Sequence, residues 1–161
     1  MSLSLVVHDK NIEINLLKFP AGESLVRIVD DRFIGNYPDE ISAFIIMRFE
    51  SNDDLFDLLL LTDAIRRYYQ RKVNITLRMD YLPYARQDRV CSKGESLSVK
   101  VVADLINSQN YCQVICRDIH SEVGVALINN LRHETMLNHA ALLDKEAILV
   151  SPDAGANKKV F

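Results

Sequence analysis

The residues best suited to chemistry stand in one run, Asp80 to Arg89, between a predicted strand and a predicted helix. Arg86 and Arg89 carry planar guanidinium groups that bind phosphate oxygens in a bidentate manner, and the Gln87 amide can read the edge of a base. Two tyrosines in the same run add flat aromatic faces. This combination favours a nucleotide that carries phosphates as the ligand.

A second set of candidates follows other predicted strands. Asp118 and His120 are two positions apart at a strand end, so in an extended chain both side chains point to one side and can meet one divalent ion or phosphate. On spacing alone, an interpretation in which Asp118 caps the next helix and His120 packs at its mouth is favoured. Asp153 poses the same choice between a ligand and a cap. Asp118, His120 and Asp153 are expected beside the Arg86 loop. This position favours Mg²⁺ as the ion that they bind, because carboxylates are ligands of Mg²⁺ and the ion bridges phosphates.

Hydrophobic patterning predicts the elements that position these residues. The predicted strands are 5–8, 12–19, 24–29, 43–49, 73–78, 113–117 and 147–150. The predicted helices are one that begins at a cap within 51–54 and runs to about 69, one over 96–107 and one over 122–128. The alternation of helix and strand predicts an α/β fold with a mainly parallel twisted sheet flanked by helices, and the turn 9–11 predicts a short antiparallel hairpin at the start. Because ligands of such sheets bind beyond the carboxyl ends of the strands, we expect the candidate loops to meet there.

Two local features of this pattern carry their own expectations. The isoleucine-rich run 43–49 has the composition of a strand covered on both faces. The run 51–54 is polar and precedes apolar residues at helical spacing, so it predicts a side-chain N-cap with acidic residues in the first helical turn.

Composition narrows the class of protein. With 161 residues, 48% of them hydrophobic, the chain fits one domain and perhaps the start of a second. A net charge of -3 argues against a general nucleic-acid binder. Three cysteines without a C-x-x-C pair predict reduced thiols, with Cys112 and Cys116 as small buried residues. The longest apolar run, 43–47, is far below the roughly 20 residues that cross a membrane, so we expect a soluble cytoplasmic protein.

Five runs of the chain, in this order, resemble the ribose-phosphate pyrophosphokinases, the PRPP synthetases. They are Phe-Pro-Ala-Gly-Glu at 19–23, Asn-Asp-Asp-Leu at 52–55, Tyr-Ala-Arg-Gln-Asp-Arg at 84–89, Asp-Ile-His at 118–120 and Ser-Pro-Asp-Ala-Gly at 151–155. The resemblance covers nearly the whole chain, and the run 84–89 is highly specific. It implies a phosphoribosyltransferase-like N-terminal domain on the ATP side over 1–145, followed over 146–161 by the first strand and loop of a similar second domain that is otherwise absent.

The resemblance also implies a reaction: transfer of the pyrophosphoryl group of ATP to the C1 hydroxyl of ribose 5-phosphate, giving PRPP and AMP, with Mg²⁺ as cofactor. The implied ATP-binding residues are Phe19, Glu23, Arg86, Gln87 and His120, and the candidate metal ligands are His120, Asp153 and Asp118. Two of them, Phe19 and Glu23, would complete the adenosine pocket of a neighbouring subunit in a homo-oligomer. The catalytic loop and most of the ribose 5-phosphate site would belong to the missing half, so no catalytic residue is expected in this piece.

The chain departs from the family pattern at three positions. Ala21 and Cys91 stand where acidic residues occur in the family, and Gly94 stands where a basic residue is common. A non-catalytic regulatory or nucleotide-binding relative is therefore an alternative to an enzyme whose ATP-side piece is inactive alone. An RNA-binding surface built from Tyr81, Tyr84, Arg86 and Arg89 ranks below both, because it does not explain Asp118, His120 and Asp153.

Overall fold

The computed structural model describes residues 2–30 and 39–135, together with positions 148 and 150. The strands are β1 (Leu3–Val7), β2 (Lys10–Lys18), β3 (Ser24–Asp30), β4 (Glu40–Met47), β5 (Lys72–Met79), β6 (Gln113–Arg117) and β7 (Leu131–Glu134), and the helices are α1 (Asp53–Tyr69), α2 (Ser98–Asn107) and α3 (Glu122–Leu127). The predicted strand 147–150, the run 151–155 and the predicted second domain lie outside the described residues, apart from Ile148 and Val150, whose side chains are exposed.

All the strands belong to one mixed sheet in the order β3-β2-β1-β4-β5-β6-β7. Strands β4 to β7 run parallel, with a helix in each crossover, whereas β1, β2 and β3 form an antiparallel part that joins β4 through β1. The opening hairpin turns at His8 and Asp9, whose φ angles of 45° and 62° match the twist of a two-residue hairpin loop. The predicted α/β class with a hairpin at the start is confirmed.

The core lies on one face of this sheet. Leu5, Ile45 and Leu77 stand side by side on β1, β4 and β5, and all are buried. Helix α1 packs against β1, β3 and β5. On the opposite face of β4, Phe44 and Ile46 remain 40% and 37% exposed. The prediction that the run 43–49 is covered on both faces is therefore wrong for the part of the chain that the structure describes.

The start of α1 also differs from the expected N-cap. The Asn52 side chain makes no capping hydrogen bond. Instead, the Asp54 carboxylate inside the first turn accepts hydrogen bonds from the backbone N–H groups of Glu50 at 2.7 Å and Ser51 at 2.6 Å. The negative charge still lies where the helix dipole stabilises it, but the residue that supplies it is different from the one expected.

Strand β7 is the element that the sequence pattern does not predict. Its four residues, Leu131 to Glu134, include three polar or charged side chains and lack an apolar alternation. Parallel pairing with β6 nevertheless places these residues beside β6, with Cys116 opposite His133 and Arg117 opposite Glu134. No helix within the described ranges is long and apolar enough to cross a membrane.

Candidate functional site

The loop 80–97 leaves the carboxyl end of β5 and leads into α2. Leu82 and Ala85 anchor it in the core, each only 2% exposed. The chain turns between Leu82 and Gln87. The Ala85 N–H donates to the Leu82 carbonyl at 3.3 Å, and the Gln87 N–H donates to the Tyr84 carbonyl at 2.9 Å. Because the buried residues fix this turn, the exposed side chains of Arg86 and Gln87 project from a rigid base.

One carboxylate, that of Glu95, stabilises a turn in the second part of the loop. Glu95 accepts hydrogen bonds from the backbone N–H groups of Cys91 at 2.8 Å and Ser92 at 3.0 Å, and these bonds lower the pKa of Glu95. Gly94 has a φ of 92°, which side-chain-bearing residues rarely adopt. The basic residue common in the family at this position would therefore be strained here, and the glycine is explained by the local turn.

The turn 118–121 lies against the loop 80–97. The Asp88 side chain is only 11% exposed, and the Ser121 hydroxyl beside it lowers the pKa of Asp88, although the two groups lack the geometry of a formed hydrogen bond. Gly124 of α3 lies close to the side chains of Ile119 and Leu82. A side chain at Gly124 would separate these surfaces, so the glycine allows the two segments to pack closely.

Asp118 and His120 are both exposed, while Ile119 between them is buried. The expected extended geometry is wrong, because β6 ends at Arg117 and Asp118 has a left-handed φ of 41°. The capping alternative is also wrong, since α3 begins at Glu122 after Ser121. Neighbouring backbone holds the turn instead, through the bond from the Asp118 N–H to the Glu134 carbonyl at 2.8 Å.

His133 is a positioning residue that the sequence reasoning missed. Its Nε2 accepts a hydrogen bond from the Ile119 N–H at 3.1 Å, between the two predicted ligands. The only signal available in the sequence was a histidine in a polar segment, which is not distinctive. Strand β7 therefore contributes to the site although it supplies no predicted ligand.

Arg86 differs from the arginines around it. Arg78, Arg117 and Arg132 form ion pairs with Asp80 and Glu134 across the ends of β5, β6 and β7, at 3.2 to 3.8 Å. Arg89 pairs with Asp88 at 3.4 Å. Within residues 2–30 and 39–135, Arg86 has no ion-pair partner and its side chain is exposed. The Arg86 guanidinium is therefore available for an anionic ligand.

The loop 19–23 connects β2 to β3 and lies beside the start of α1. The Phe19 N–H donates to the Glu23 carbonyl at 2.8 Å, and Phe19 is 45% exposed. Lys18, just before the loop, forms an ion pair with Asp53 of α1. The structure thus places Phe19 and Glu23 at one end of α1, and a hydrogen bond from Tyr84 to Asn52 connects that end to the loop 80–97.

The described residues do not by themselves form a metal centre. Among residues 2–30 and 39–135, no group of three histidine, cysteine, aspartate or glutamate residues is arranged to hold a metal ion. Asp153, the third predicted ligand beside Asp118 and His120, lies outside the described residues. The Mg²⁺ site therefore stays a prediction.

The sequence of this chain is similar to those of several known proteins. Residues 6–109 match the family model described as the N-terminal domain of ribose phosphate pyrophosphokinase. The chain is 36% identical over 171 residues to the ribose-phosphate pyrophosphokinase of Mycoplasma pneumoniae, with 99% of this chain and 46% of that protein covered. It is 31% identical over 153 residues to the enzyme of the same name from Pyrococcus furiosus, with 91% of this chain and 50% of that protein covered.

A solved structure supports the fold. The crystal structure of phosphoribosylpyrophosphate synthetase from Mycobacterium smegmatis superposes with a TM-score of 0.64 at 22% identity, covering 81% of this chain and 43% of that one. At this identity the likeness establishes the architecture alone. The chain spans about half the length of the curated relatives it matches.

Proposed function

Because the chain belongs to the ribose-phosphate pyrophosphokinase family, we propose that it is the ATP-binding half of an enzyme that transfers the pyrophosphoryl group of ATP to the C1 hydroxyl of ribose 5-phosphate. The products would be PRPP and AMP. Since the relatives are about twice as long, the ribose 5-phosphate site and the catalytic loop would come from a second half, and this piece alone would be inactive.

The observation that carries the proposal is the unpaired, exposed Arg86 on a loop with a buried base. Leu82 and Ala85 hold the loop in the core, so binding a triphosphate through Arg86 would not require the backbone to be ordered first. Gln87 stands beside it and offers an amide to the base. Gly124 of α3 lies close to the side chains of both Leu82 and Ile119, which allows this loop to pack against the turn that carries His120.

The proposed transfer depends on the positioning of the substrates and the neutralisation of phosphate charge more than on a nucleophilic side chain. Pyrophosphoryl transfer passes through a state in which charge is spread over phosphate oxygens, and fixed cations stabilise that charge. Arg86 would supply one such cation, because no carboxylate within the described residues forms an ion pair with it. The attacking group would be the sugar hydroxyl itself, so no nucleophile is needed in this half.

The possible ligands on the turn 118–121 suit a Mg²⁺ ion that takes only some of its ligands from the protein. Asp118 and His120 are exposed on one turn, and Mg²⁺ in phosphate-transfer sites takes few protein ligands and keeps phosphate and water oxygens. Asp118, His120 and Asp153 would hold the ion. When bound, it would neutralise charge on the triphosphate of ATP.

A homo-oligomer would complete the nucleotide site. Phe19 is exposed on the loop 19–23, where an aromatic ring has no partner to cover it within the described residues, and Glu23 lies at the end of the same turn. The family resemblance implies that both residues belong to the adenosine pocket of a neighbouring subunit, and the exposure of Phe19 is compatible with this role. In one protomer they lie at the start of α1, on a different loop from Arg86 and Gln87.

Calorimetric titration of the 161-residue protein with a non-hydrolysable ATP analogue, with and without Mg²⁺, tests the proposal. Arg86→Ala should cost about 1.5–3 kcal/mol of binding free energy, because it removes a charge-assisted phosphate contact. Arg67→Ala is a matched control, since this exposed arginine lies on α1 and pairs with Asp63. His120→Ala should remove the part of the affinity that depends on Mg²⁺.

The oligomeric state must be measured in the same solution, because Phe19 and Glu23 act across an interface in this proposal. Equal affinity in the wild type and Arg86→Ala would contradict the assigned site. An oligomer that binds no nucleotide would contradict ATP binding and favour a regulatory relative that has lost it. Binding without PRPP formation after the second half is joined would favour a nucleotide-binding regulator.

A further inference from the structure

The turn between β6 and α3 carries two candidate Mg²⁺ ligands, Asp118 and His120, and belongs to no helix or strand. Asp118 has a left-handed φ of 41°. A residue other than glycine keeps such a conformation when contacts around it hold it there. The directions of the two ligand side chains therefore depend on the groups that fix the backbone of this turn.

Strand β7 binds two backbone N–H groups of the turn. The Asp118 N–H donates to the Glu134 carbonyl at 2.8 Å, and the Ile119 N–H donates to the Nε2 of His133 at 3.1 Å. The first bond joins backbone to backbone, so any residue at position 134 can accept it. The second bond requires a side chain at position 133 that carries an acceptor at the right reach.

His133 reaches the turn because of its place on β7. It stands opposite Cys116 in the parallel pairing with β6, and Cys116 is two positions before Asp118. A backbone N–H can only donate, so Nε2 is the unprotonated ring nitrogen and its lone pair is used in this bond. His133 thus holds the backbone of the turn and offers no Nε2 lone pair to a metal ion.

Ile119 connects this bond to the rest of the site. Its side chain is buried and lies close to Gly124 of α3, which also lies close to Leu82 at the base of the loop 80–97. The turn is therefore held at two points of one residue, by the packed side chain of Ile119 and by the bond from its N–H to His133. The exposed side chains on either side of Ile119 depend on both.

We propose that the His133 acceptor sets the part of the nucleotide affinity that depends on Mg²⁺, because it holds the turn so that Asp118 and His120 meet the ion together. The inference rests on the proposed function, from which it takes the nucleotide and the metal ligands. It adds a residue of β7 that touches neither. Residues that orient metal ligands without binding the metal typically change metal affinity about 10–100-fold when they are substituted.

Calorimetric titration of the 161-residue protein with a non-hydrolysable ATP analogue tests the inference, through the ratio of the affinities with and without Mg²⁺. His133→Leu removes the acceptor and should lower this ratio about tenfold, while the affinity without Mg²⁺ stays close to that of the wild type. His133→Gln places an amide oxygen at a similar reach, so it should keep most of the ratio.

Asn130→Gly is the matched control for a general loosening of β7. The Asn130 side chain donates to the Tyr111 carbonyl at 3.0 Å, just before β7 and at the end of the strand away from the turn. Glycine adopts the φ of 53° at this position without strain. This variant should melt at a lower temperature and keep the wild-type ratio of affinities.

A second control shows whether His133 acts through the metal ligand. In a His120→Ala background the part of the affinity that depends on Mg²⁺ is already lost, so adding His133→Leu should change the ratio no further. A further loss in the double variant would mean that His133 acts on the nucleotide by another route.

Amide hydrogen exchange, followed by NMR without nucleotide, measures the bond itself. The Ile119 N–H should exchange faster in His133→Leu than in the wild type or in His133→Gln. The Asp118 N–H keeps its bond to the Glu134 carbonyl and should change less. Unchanged exchange of the Ile119 N–H in His133→Leu would show that this bond does not hold the turn.

The titrations separate failure of this inference from failure of the proposed function. The inference is overturned if His133→Leu keeps the wild-type ratio, or if His133→Gln or Asn130→Gly loses as much as His133→Leu. A wild type that binds the analogue equally with and without Mg²⁺ overturns the inference and the Mg²⁺ assignment but not the ATP site at Arg86. A wild type that binds no analogue overturns the proposed function and this inference with it.

Discussion

The Tyr84 hydroxyl donates a hydrogen bond of 2.7 Å to the Asn52 Oδ1, which connects the loop 80–97 to the residue before α1. Tyr84 is also held in a left-handed conformation, with a φ of 60°. We expect Tyr84→Phe to lower the free energy of unfolding by about 0.5–1.5 kcal/mol, the usual value of one hydrogen bond. Urea denaturation measures this cost.

Asn52→Ala provides the matched test of the same contact. If the hydrogen bond is the shared cause, the double variant should lose less stability than the sum of the two single variants. Strictly additive losses would show that Tyr84 and Asn52 contribute separately. ATP-analogue affinity should fall in Tyr84→Phe if the connection also orients Arg86.

Gly124 controls how closely α3 approaches the loop 80–97. A Cβ at this position would lie 2.8 Å from the Ile119 Cγ2 and 3.2 Å from the Leu82 Cδ2. In a helix, Gly→Ala usually stabilises by roughly 0.5–1 kcal/mol, but overpacking costs about 1–3 kcal/mol. We therefore expect Gly124→Ala to lower the melting temperature. Val123→Ala, at a more exposed neighbouring position, is the control, and a rise in melting temperature for Gly124→Ala would contradict the close packing.

The sequence was sufficient for strands β4 to β6 and the helices between them, because α1, α2 and their flanking strands carry clear apolar periodicity. It also located Arg86 and Gln87 on a loop at a strand end, because Pro83 and the polar run after it interrupt the strand pattern. These features depend on local pattern, which a single chain displays directly.

The remaining features depend on contacts between distant residues. Isoleucine content in β4 reveals that the strand is apolar but not how many faces are covered, and that number depends on where the helices pack. Strand β7 is specified by its pairing with β6 and by the bond between Ile119 and His133, neither of which leaves a local pattern. The left-handed φ of Asp118 leaves no local pattern either, so the spacing of Asp118 and His120 could not predict the direction of the Asp118 side chain.

Asp54 should make stability depend on pH at the acid end. Burial alone would raise the pKa of its carboxyl, but hydrogen bonds from Ser2 and from the backbone N–H groups of Glu50 and Ser51 outweigh it and lower the pKa below the ordinary value of 3.8. A lowered pKa in the folded state means that the stabilisation is present above the unfolded pKa and is lost as the pH falls through the folded one.

Urea denaturation between pH 7 and pH 2 checks this prediction. The wild type should lose stability below about pH 4, and Asp54→Asn should show a smaller loss over the same range while being less stable at pH 7. Asp63→Asn, which alters an exposed pair on the same helix, should keep the wild-type slope. An unchanged acid slope in Asp54→Asn would mean that other carboxyl groups control the acid transition.

The three cysteines should differ in reactivity. Cys116 is fully buried, and burial raises the pKa of its thiol to about 12, so the reactive thiolate is scarce and shielded. Cys91 and Cys112 are exposed, which shows that the prediction of a buried Cys112 was wrong. We expect a thiol reagent at pH 8 to modify Cys91 and Cys112 in the native protein and Cys116 only after denaturation. Cys91→Ser should remove one of the two native reactions, whereas Cys116→Ala should remove neither; modification of Cys116 at the rate of Cys91 would show that β6 opens under native conditions.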